Sequence, residues 1–213
     1  MARPDRLVLV TGTGTDVGKT WVTVELIGRL RARGVAVAAR KPAQSFAVGD
    51  ATTDASLLGA ACGECADAVC PPHRWYPVPL APPMAANALD RERIAVEDLV
   101  GELTWPAGAS IGFVEGAGGL RSPIAHDGDS LSLVRLLEPD LVLLVADPAL
   151  GVVSTVRMTA DELGDQPLLV LLNRYDEGDD VHRRSLDWLR AVDGLTVDTD
   201  LTAVTDRLTA LVA

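Results

Sequence analysis

The sequence predicts an α/β fold in which an open, mostly parallel sheet carries helices on both faces. Three observations favour this class: short apolar runs recur along the chain, segments with helical spacing of apolar residues separate them, and a glycine-rich loop follows the first run. Strands buried on both faces of a parallel sheet are continuously apolar, and their alternation with helices is typical of α/β proteins. We therefore expect the functional residues at the carboxyl ends of the strands.

Five apolar runs are predicted as strands: Leu7 to Val10, Val35 to Ala39, Ser110 to Val114, Leu141 to Ala146 and Leu168 to Leu172. Apolar spacing predicts seven helices: Lys19 to Arg33, Asp54 to Ala61, Ile94 to Leu103, Ser130 to Leu137, Val153 to Leu163, Val181 to Ala191 and Leu201 to Leu211. Gly34 is expected to end the first helix. Six prolines between Pro71 and Pro83 predict a rigid, irregular connection.

Length and charge limit the possible functions. The 213 residues are expected to form a single domain spanning residues 1–213. With 19 basic and 30 acidic side chains, the formal net charge is −11, and such a surface repels nucleic acid and anionic membranes. The first residues lack the apolar run of a signal peptide, and no stretch approaches the ~18 apolar residues of a spanning helix. We expect a cytoplasmic protein without nucleic acid or membrane as a partner.

The three cysteines lie close together, at Cys62, Cys65 and Cys70, with His73 nearby. Four such side chains can form a closed zinc site. Their spacing matches none of the common zinc-binding patterns, and this favours plain reduced thiols. The zinc site stays open as the alternative.

The glycine-rich loop after the first strand has the sequence Gly12-Thr-Gly-Thr-Asp-Val-Gly-Lys-Thr20. A loop of this kind between a strand and a helix points its backbone N–H groups at a polyphosphate. Lys19 is predicted to reach the β- and γ-phosphates, and the Thr20 hydroxyl to bind Mg²⁺. Five residues, rather than the usual four, separate Gly12 from Gly18. The predicted fold is thus similar to that of P-loop NTPases, with nucleotide contacts from Gly14, Thr15, Asp16, Val17, Gly18, Lys19 and Thr20.

Charged residues at the ends of the next strands are expected to converge on this loop. Lys41 follows the second strand, where its ammonium can neutralise charge on a transferring phosphoryl group. Glu115 follows the third strand, and Asp54 begins the next predicted helix, so both are candidate ligands for Mg²⁺ beside Thr20. For Asp54, helix capping is the alternative role.

Further candidates lie after the later strands. Gly118 and Gly119 allow a substrate to approach the backbone closely. Gly151 and Val152 stand at a predicted helix start, whose free N–H groups can hold a carboxylate. Asn173 can offer its amide to a nucleotide base. For the last two sites an ordinary cap or turn is the alternative.

Together these residues resemble the dethiobiotin synthetase family of biotin biosynthesis. The matching pieces run in family order over about four fifths of the chain. They are the loop Thr11 to Thr20, Lys41-Pro42 with Ser45, Asp54, Pro79 to Ala86, Val114 to Gly119, Leu150-Gly151 and Asn173.

The resemblance implies a homodimer that binds 7,8-diaminononanoate, CO₂ or bicarbonate, and Mg-ATP. It implies that an amine of the substrate takes up CO₂ as a carbamate, which is phosphorylated by ATP and closed to the cyclic urea, dethiobiotin. In that scheme Lys41 and Lys19 are catalytic. Thr20, Asp54 and Glu115 hold Mg²⁺, and Lys41, Ser45, Gly118 and Gly119 line the diamine site.

The chain departs from the family pattern in two places. Val152 to Thr155 replaces an Asn-His pair, so another substrate stays open, and Gly194 to Asp200 replaces a Gly-x-x-Pro segment that flanks the base, so nucleotides other than ATP stay open. One alternative is a related ATP-dependent ligase acting on a different amine or carboxylate. A second is a nucleotide-switch ATPase of the ParA/MinD kind. Such proteins carry an additional lysine early in the loop, which this chain lacks, and they need a basic surface or an amphipathic tail.

Overall fold

The computed structural model describes residues 3–213. The strands are β1 (Arg6–Gly12), β2 (Val37–Arg40), β3 (Gln44–Ser45), β4 (Trp75–Tyr76), β5 (Ile111–Gly119), β6 (Pro123–Ala125), β7 (Gly128–Asp129), β8 (Leu141–Ala146), β9 (Leu168–Leu172) and β10 (Val197–Asp198). The helices are α1 (Lys19–Ala32), α2 (Asp54–Cys62), α3 (Ala66–Val69), α4 (Pro82–Ala88), α5 (Val96–Gly101), α6 (Ser130–Leu137), α7 (Val152–Leu163), α8 (Asp180–Ala191) and α9 (Leu201–Ala210).

Six strands form one parallel sheet in the order β10-β9-β8-β1-β5-β2. Strand β1 lies between β5 and β8, and its register places Val10 opposite Glu115. Because all six strands run the same way, the loops after β1, β2 and β5 emerge side by side. This places the phosphate loop next to the segments that carry Glu115 and Lys41.

Helices cover both faces of the sheet, as predicted. Val8 and Val10 of β1 face one apolar cluster, which includes residues of α1, α2 and α9. Leu9, between them, faces a second cluster with residues of α5 and α6. The alternation follows from the period of two in a strand, and it explains why each run is apolar throughout. The expected open α/β sheet is confirmed.

All five predicted strands and all seven predicted helices are present, with shifts at several ends. The largest shift is at β5, which continues to Gly119, so that Glu115 lies inside the strand rather than after it. The prediction of an irregular connection from Pro71 to Pro83 is wrong in two places, because β4 lies within it at Trp75–Tyr76 and α4 begins at Pro82. Proline is suited to a first helical turn, where its missing N–H needs no partner. The two-residue strand β10 was too short to give a pattern.

Among residues 3–213, none of the helices is both long enough and apolar enough to cross a membrane.

Candidate active site

The phosphate loop connects β1 to α1 and is held from the side by the residue after β9. Gly18 caps α1 with a φ of +92°. A Cβ atom at Gly18 would collide with the side-chain amide of Asn173, whose Nδ2 donates to the carbonyl of Val17 at 2.9 Å. Asn173 is thus part of the loop's support, and its Nδ2 is already engaged by the protein.

Lys19 is the first residue of α1 and lies against the loop. Its side chain is largely buried, and its Nζ donates to the carbonyl of Gly14 at 2.9 Å. Burial and the neighbouring ammonium of Lys41 lower the pKa of Lys19 to about 8, although Glu115 and Asp54 oppose this shift. The side chain of Lys19 therefore loses its proton at a lower pH than an ordinary lysine does, in the neutral to mildly alkaline range.

Lys41 lies between two carboxylates, directly after β2. Its Nζ is 2.8 Å from Glu115 Oε1 and 2.7 Å from Asp54 Oδ2, and it also donates to the carbonyl of Gly116 at 3.2 Å. Burial by itself would lower the pKa of Lys41, but Glu115 and Asp54 outweigh burial and raise it. Lys41 therefore stays positively charged and is suited to stabilise negative charge rather than to accept a proton.

Thr20, Asp54 and Glu115 bring three oxygen atoms together. Thr20 Oγ1 is 3.0 Å from Asp54 Oδ1 and 2.7 Å from Glu115 Oε1. Adjacent ligands of an octahedral Mg²⁺ ion are about 2.9 Å apart when each lies ~2.0–2.1 Å from the metal. The pKa of the Asp54 carboxyl is lowered because Lys41 and the Thr20 hydroxyl outweigh its burial. Two carboxylates and a hydroxyl fit Mg²⁺, which takes its remaining ligands from phosphates and water.

Lys19, Thr20, Lys41 and Asp54 line one cavity of about 680 Å³ at the carboxyl edge of the sheet. The predicted site residues that line it are Thr15, Asp16, Gly18, Lys19, Thr20, Lys41, Ser45, Asp54 and Gly118. The segment from Pro79 to Pro82, which leads into α4, also lines this cavity. A second cavity, of about 910 Å³, adjoins it at Thr15 and Ser122 and is lined by Gly14 and Gly119. One space thus adjoins the phosphate loop, both lysines and the carboxylate of Asp54, whereas Glu115 is fully buried behind them.

Gly151 and Val152 line neither of these two cavities in the part of the chain that the structure describes. Val152 is buried in the apolar cluster that includes Leu144 and Val170. Its side chain packs in the core because it lies on the face of α7 that covers the sheet. The sequence predicted binding through the N–H groups at this helix start, and that role stays a prediction; the N–H of Val152 itself donates to the carbonyl of Ala149 at 3.1 Å.

Three side chains at the site were not predicted from the sequence. Thr23 is buried, with its hydroxyl 3.1 Å from Glu115 Oε2. Gln44 is largely buried, lines the cavity and accepts a hydrogen bond from the backbone of α2. Arg174 reaches from beyond β9 to the carbonyl of Asp16 at 3.1 Å. Of these three, only Thr23 was predictable from the sequence. It lies three residues after Thr20, and residues three apart share a helix face.

The cysteines show no sign of a shared metal site. Cys62 and Cys70 are buried and Cys65 is exposed. Burial raises the pKa of Cys62 to about 11 and that of Cys70 to about 12. Residues 3–213 contain no group of three or more His, Cys, Asp or Glu side chains placed to hold a metal ion. The zinc alternative therefore gains no support from the geometry.

A curated relative named ATP-dependent dethiobiotin synthetase, from Anaeromyxobacter sp. (strain Fw109-5), is 36% identical over 181 residues, which cover 82% of this chain and 79% of the relative. This chain belongs to the dethiobiotin synthetase family. Relatives of the same name from Haloferax mediterranei and Streptomyces coelicolor are 37% and 35% identical, cover 78% and 76% of this chain, and are themselves covered to 71% and 67%. Membership in the dethiobiotin synthetase family confirms the resemblance and the expectation of an enzyme.

Two further comparisons agree on the fold of this dethiobiotin synthetase family member. A family model described as an AAA domain matches residues 6–198. A signal recognition particle receptor FtsY from Elizabethkingia anophelis is similar with a TM-score of 0.54 and 14% identity, covering all of this chain and 67% of the receptor. A plasmid partition protein from Borrelia burgdorferi B31, bound to AMPPNP, is similar with a TM-score of 0.55 and 9% identity, covering 93% of this chain and 88% of that protein. At these identities the likeness supports the P-loop NTPase fold alone.

Proposed function

We propose that this chain is an ATP- and Mg²⁺-dependent dethiobiotin synthase that acts on 7,8-diaminononanoate. The observation that carries the proposal is the position of Lys41, whose buried ammonium contacts Asp54 and Glu115 beside the phosphate loop. This is the arrangement that a reaction with a phosphorylated carboxylate-like intermediate needs. The relatives named ATP-dependent dethiobiotin synthetase support it.

In the proposed reaction, one amine of the substrate adds to CO₂, loses a proton and becomes a carbamate. A carbamate oxygen attacks the γ-phosphate of ATP, so that ADP leaves and a carbamic–phosphoric anhydride forms. The second amine then attacks the carbonyl carbon and expels phosphate, and the product is a cyclic urea. Each step forms one bond at the expense of another, and the hydrolytic energy of ATP drives the ring closure.

The protein's contribution is positioning and charge compensation. The loop from Gly14 to Thr20 and Asn173 are proposed to bind the nucleotide, with Lys19 at the β- and γ-phosphates. Thr20, Asp54 and Glu115 would hold Mg²⁺, which would supply positive charge next to the phosphate oxygens. Lys41, protonated because of its carboxylate neighbours, stabilises the carbamate and the moving phosphoryl group.

The diamine is proposed to occupy the part of the cavity that lies beyond Lys41. Ser45, Gly118, Pro79 and Pro82 line this cavity. Gly151 precedes α7 on the surface and lies outside the two cavities. A role for Gly151 in binding substrate therefore requires a second copy, and we propose a homodimer in the cytoplasm, each copy a single domain.

The test is an assay of purified protein with diaminononanoate, bicarbonate and Mg-ATP. We expect dethiobiotin, detected by mass spectrometry, and phosphate release that requires the diamine. If neither product forms, the proposed function is wrong. Phosphate release that requires a different amine or carboxylate would instead favour a related ligase. Replacing ATP with GTP or CTP in the same assay measures the preference for the nucleotide base.

A further inference from the structure

Thr23 holds the side of Glu115 that faces away from Lys41. Thr23 is one turn along α1 from Thr20 and fully buried. Its hydroxyl is 3.1 Å from Glu115 Oε2 and 2.9 Å from the carbonyl of Lys19, four residues earlier in the helix. Glu115 Oε1 meanwhile contacts Thr20 and Lys41. With Oε2 fixed by Thr23, the carboxylate presents Oε1 to Thr20 and Lys41, which do line the cavity.

Gln44 holds the start of the helix that carries Asp54. Gln44 is buried, and its Oε1 accepts a hydrogen bond of 2.9 Å from the backbone N–H of Ala55. Ala55 is the second residue of α2, and Asp54 is the first. The first N–H groups of a helix have no partner within it, so this bond fixes the first turn in place. Because Gln44 lies three residues after Lys41, the same short segment places both Lys41 and Asp54.

We infer that Thr23 and Gln44 are positioning residues for the metal site, each setting the orientation of one carboxylate ligand. The inference rests on the proposed function, since it concerns the Mg²⁺ site of that function. Thr23 does not line the cavity; Gln44 lines it, and its side-chain hydrogen bond within residues 3–213 is the one from the backbone of Ala55. Thr23 acts through Glu115, and Gln44 acts through the backbone that carries Asp54.

The physical basis of this inference is the strict geometry that Mg²⁺ coordination requires. Magnesium requires nearly octahedral ligands at ~2.0–2.1 Å, so a carboxylate that is free to rotate binds it less well. Hydrogen bonds to the far side of a ligand hold its orientation, and their loss typically lowers metal affinity by about 10–100-fold. Glu115 has no solvent to hold its second oxygen, because the residue is fully buried. Thr23 is therefore the group that holds that oxygen.

The test measures how much Mg²⁺ tightens nucleotide binding. The dissociation constant of a nonhydrolysable ATP analogue, AMPPNP, is measured by calorimetry with Mg²⁺ and with EDTA. The ratio of the two constants reports the coupling between metal and nucleotide. We expect Thr23→Val, which keeps the shape and removes the hydroxyl, to lower this ratio by about 10-fold or more. Thr23→Ser keeps the hydroxyl and is expected to restore it.

Thr205→Val is the matched control. Thr205 is also fully buried in a helix, and its hydroxyl also donates to the carbonyl four residues earlier, at Leu201. Its substitution removes the same kind of helix contact in α9, away from the site. A purely structural role for Thr23 predicts that the Thr23→Val and Thr205→Val proteins behave alike, with an unchanged ratio, and that result would overturn the inference.

Gln44→Met tests the second half of the inference. It keeps the length of the side chain and removes the acceptor for Ala55, so we expect the same fall in the ratio. Gln166→Met is its control, since the side chain of Gln166, among the contacts that the structure describes, has one hydrogen bond, from Nε2 to the carbonyl of Pro139, away from the site. If the wild-type ratio is itself one, the proposed metal site fails. If the wild-type ratio is large and the Thr23→Val and Gln44→Met proteins keep it, only the positioning roles fail.

Discussion

Lys41 and Glu115 form a buried ion pair, with Nζ 2.8 Å from Oε1 and side-chain exposures of 4% and 1%. The two residues are 74 positions apart in the chain. They meet because β2 and β5 are adjacent parallel strands. An ion pair inside a protein stabilises little in net terms, but removing one partner leaves the other charge buried and uncompensated.

The substitution Lys41→Ala is expected to lower dethiobiotin formation at least roughly 10²-fold, because it removes the charge that stabilises the carbamate and the phosphoryl group. It is also expected to lower the free energy of unfolding by about 3–5 kcal/mol, since Glu115 loses its partner. Nucleotide should remain bound. Steady-state turnover, urea denaturation and calorimetry measure the three quantities.

Two further variants control for this result. Adding Glu115→Gln to Lys41→Ala should restore part of the lost stability, because the fully buried partner then carries no charge; Asp54, the other partner, is more exposed. Arg33→Ala removes a partner of Asp206 in a surface ion pair, and we expect little change in stability from it. Normal turnover in the Lys41→Ala protein would contradict the role given to Lys41.

Nucleotide affinity should fall as the pH rises through about 8. The pKa of Lys19 in the free protein is lowered to about 8, so above that pH the amine is mostly neutral. Phosphates favour its protonated form, and binding must then take up a proton. Calorimetry at pH 8.5 in two buffers with different heats of ionisation measures this uptake. The same uptake in a Lys19→Met protein would assign it to another group.

The substitution Gly18→Ala is expected to weaken nucleotide binding at least ~10-fold, equivalent to about 1.4 kcal/mol. The new Cβ would collide with the Asn173 amide and occupy a left-handed backbone position, so the loop must shift. Gly34→Ala is the control, because Gly34 also has a positive φ, of +81°, but open space around its Cβ position. It should lose about 1 kcal/mol of stability and keep its nucleotide affinity.

Only one thiol should react quickly with Ellman's reagent in the folded protein. Cys65 is exposed, whereas burial raises the pKa of Cys62 and Cys70 to about 11 and about 12, and the thiolate is the reactive form. All three should react after denaturation. A Cys65→Ser protein that keeps the fast phase would contradict this assignment, and thiols that react only after chelator treatment would revive the zinc site.

The sequence by itself determined the class of the fold and the nature of the site. Apolar runs identified every strand of the six-stranded sheet except β10, because such runs are visible in the local sequence. The phosphate loop, Lys41, Asp54 and Glu115 were recognisable because each follows or begins a predicted element. The resemblance to the dethiobiotin synthetase family came from the same residues, and the relatives confirm it.

Tertiary structure alone decided which atoms meet. Glu115 lies within a strand, Val152 faces the core, and Asn173 Nδ2 holds the loop through Val17. Thr23 and Gln44 became visible as supports of the two carboxylates only when α1, α2 and β5 were packed together. The physical reason is that hydrogen bonds and ion pairs act over about 3 Å, whereas the partners lie 11 to 156 positions apart in the chain. Local patterns specify the elements, and only their packing specifies such contacts.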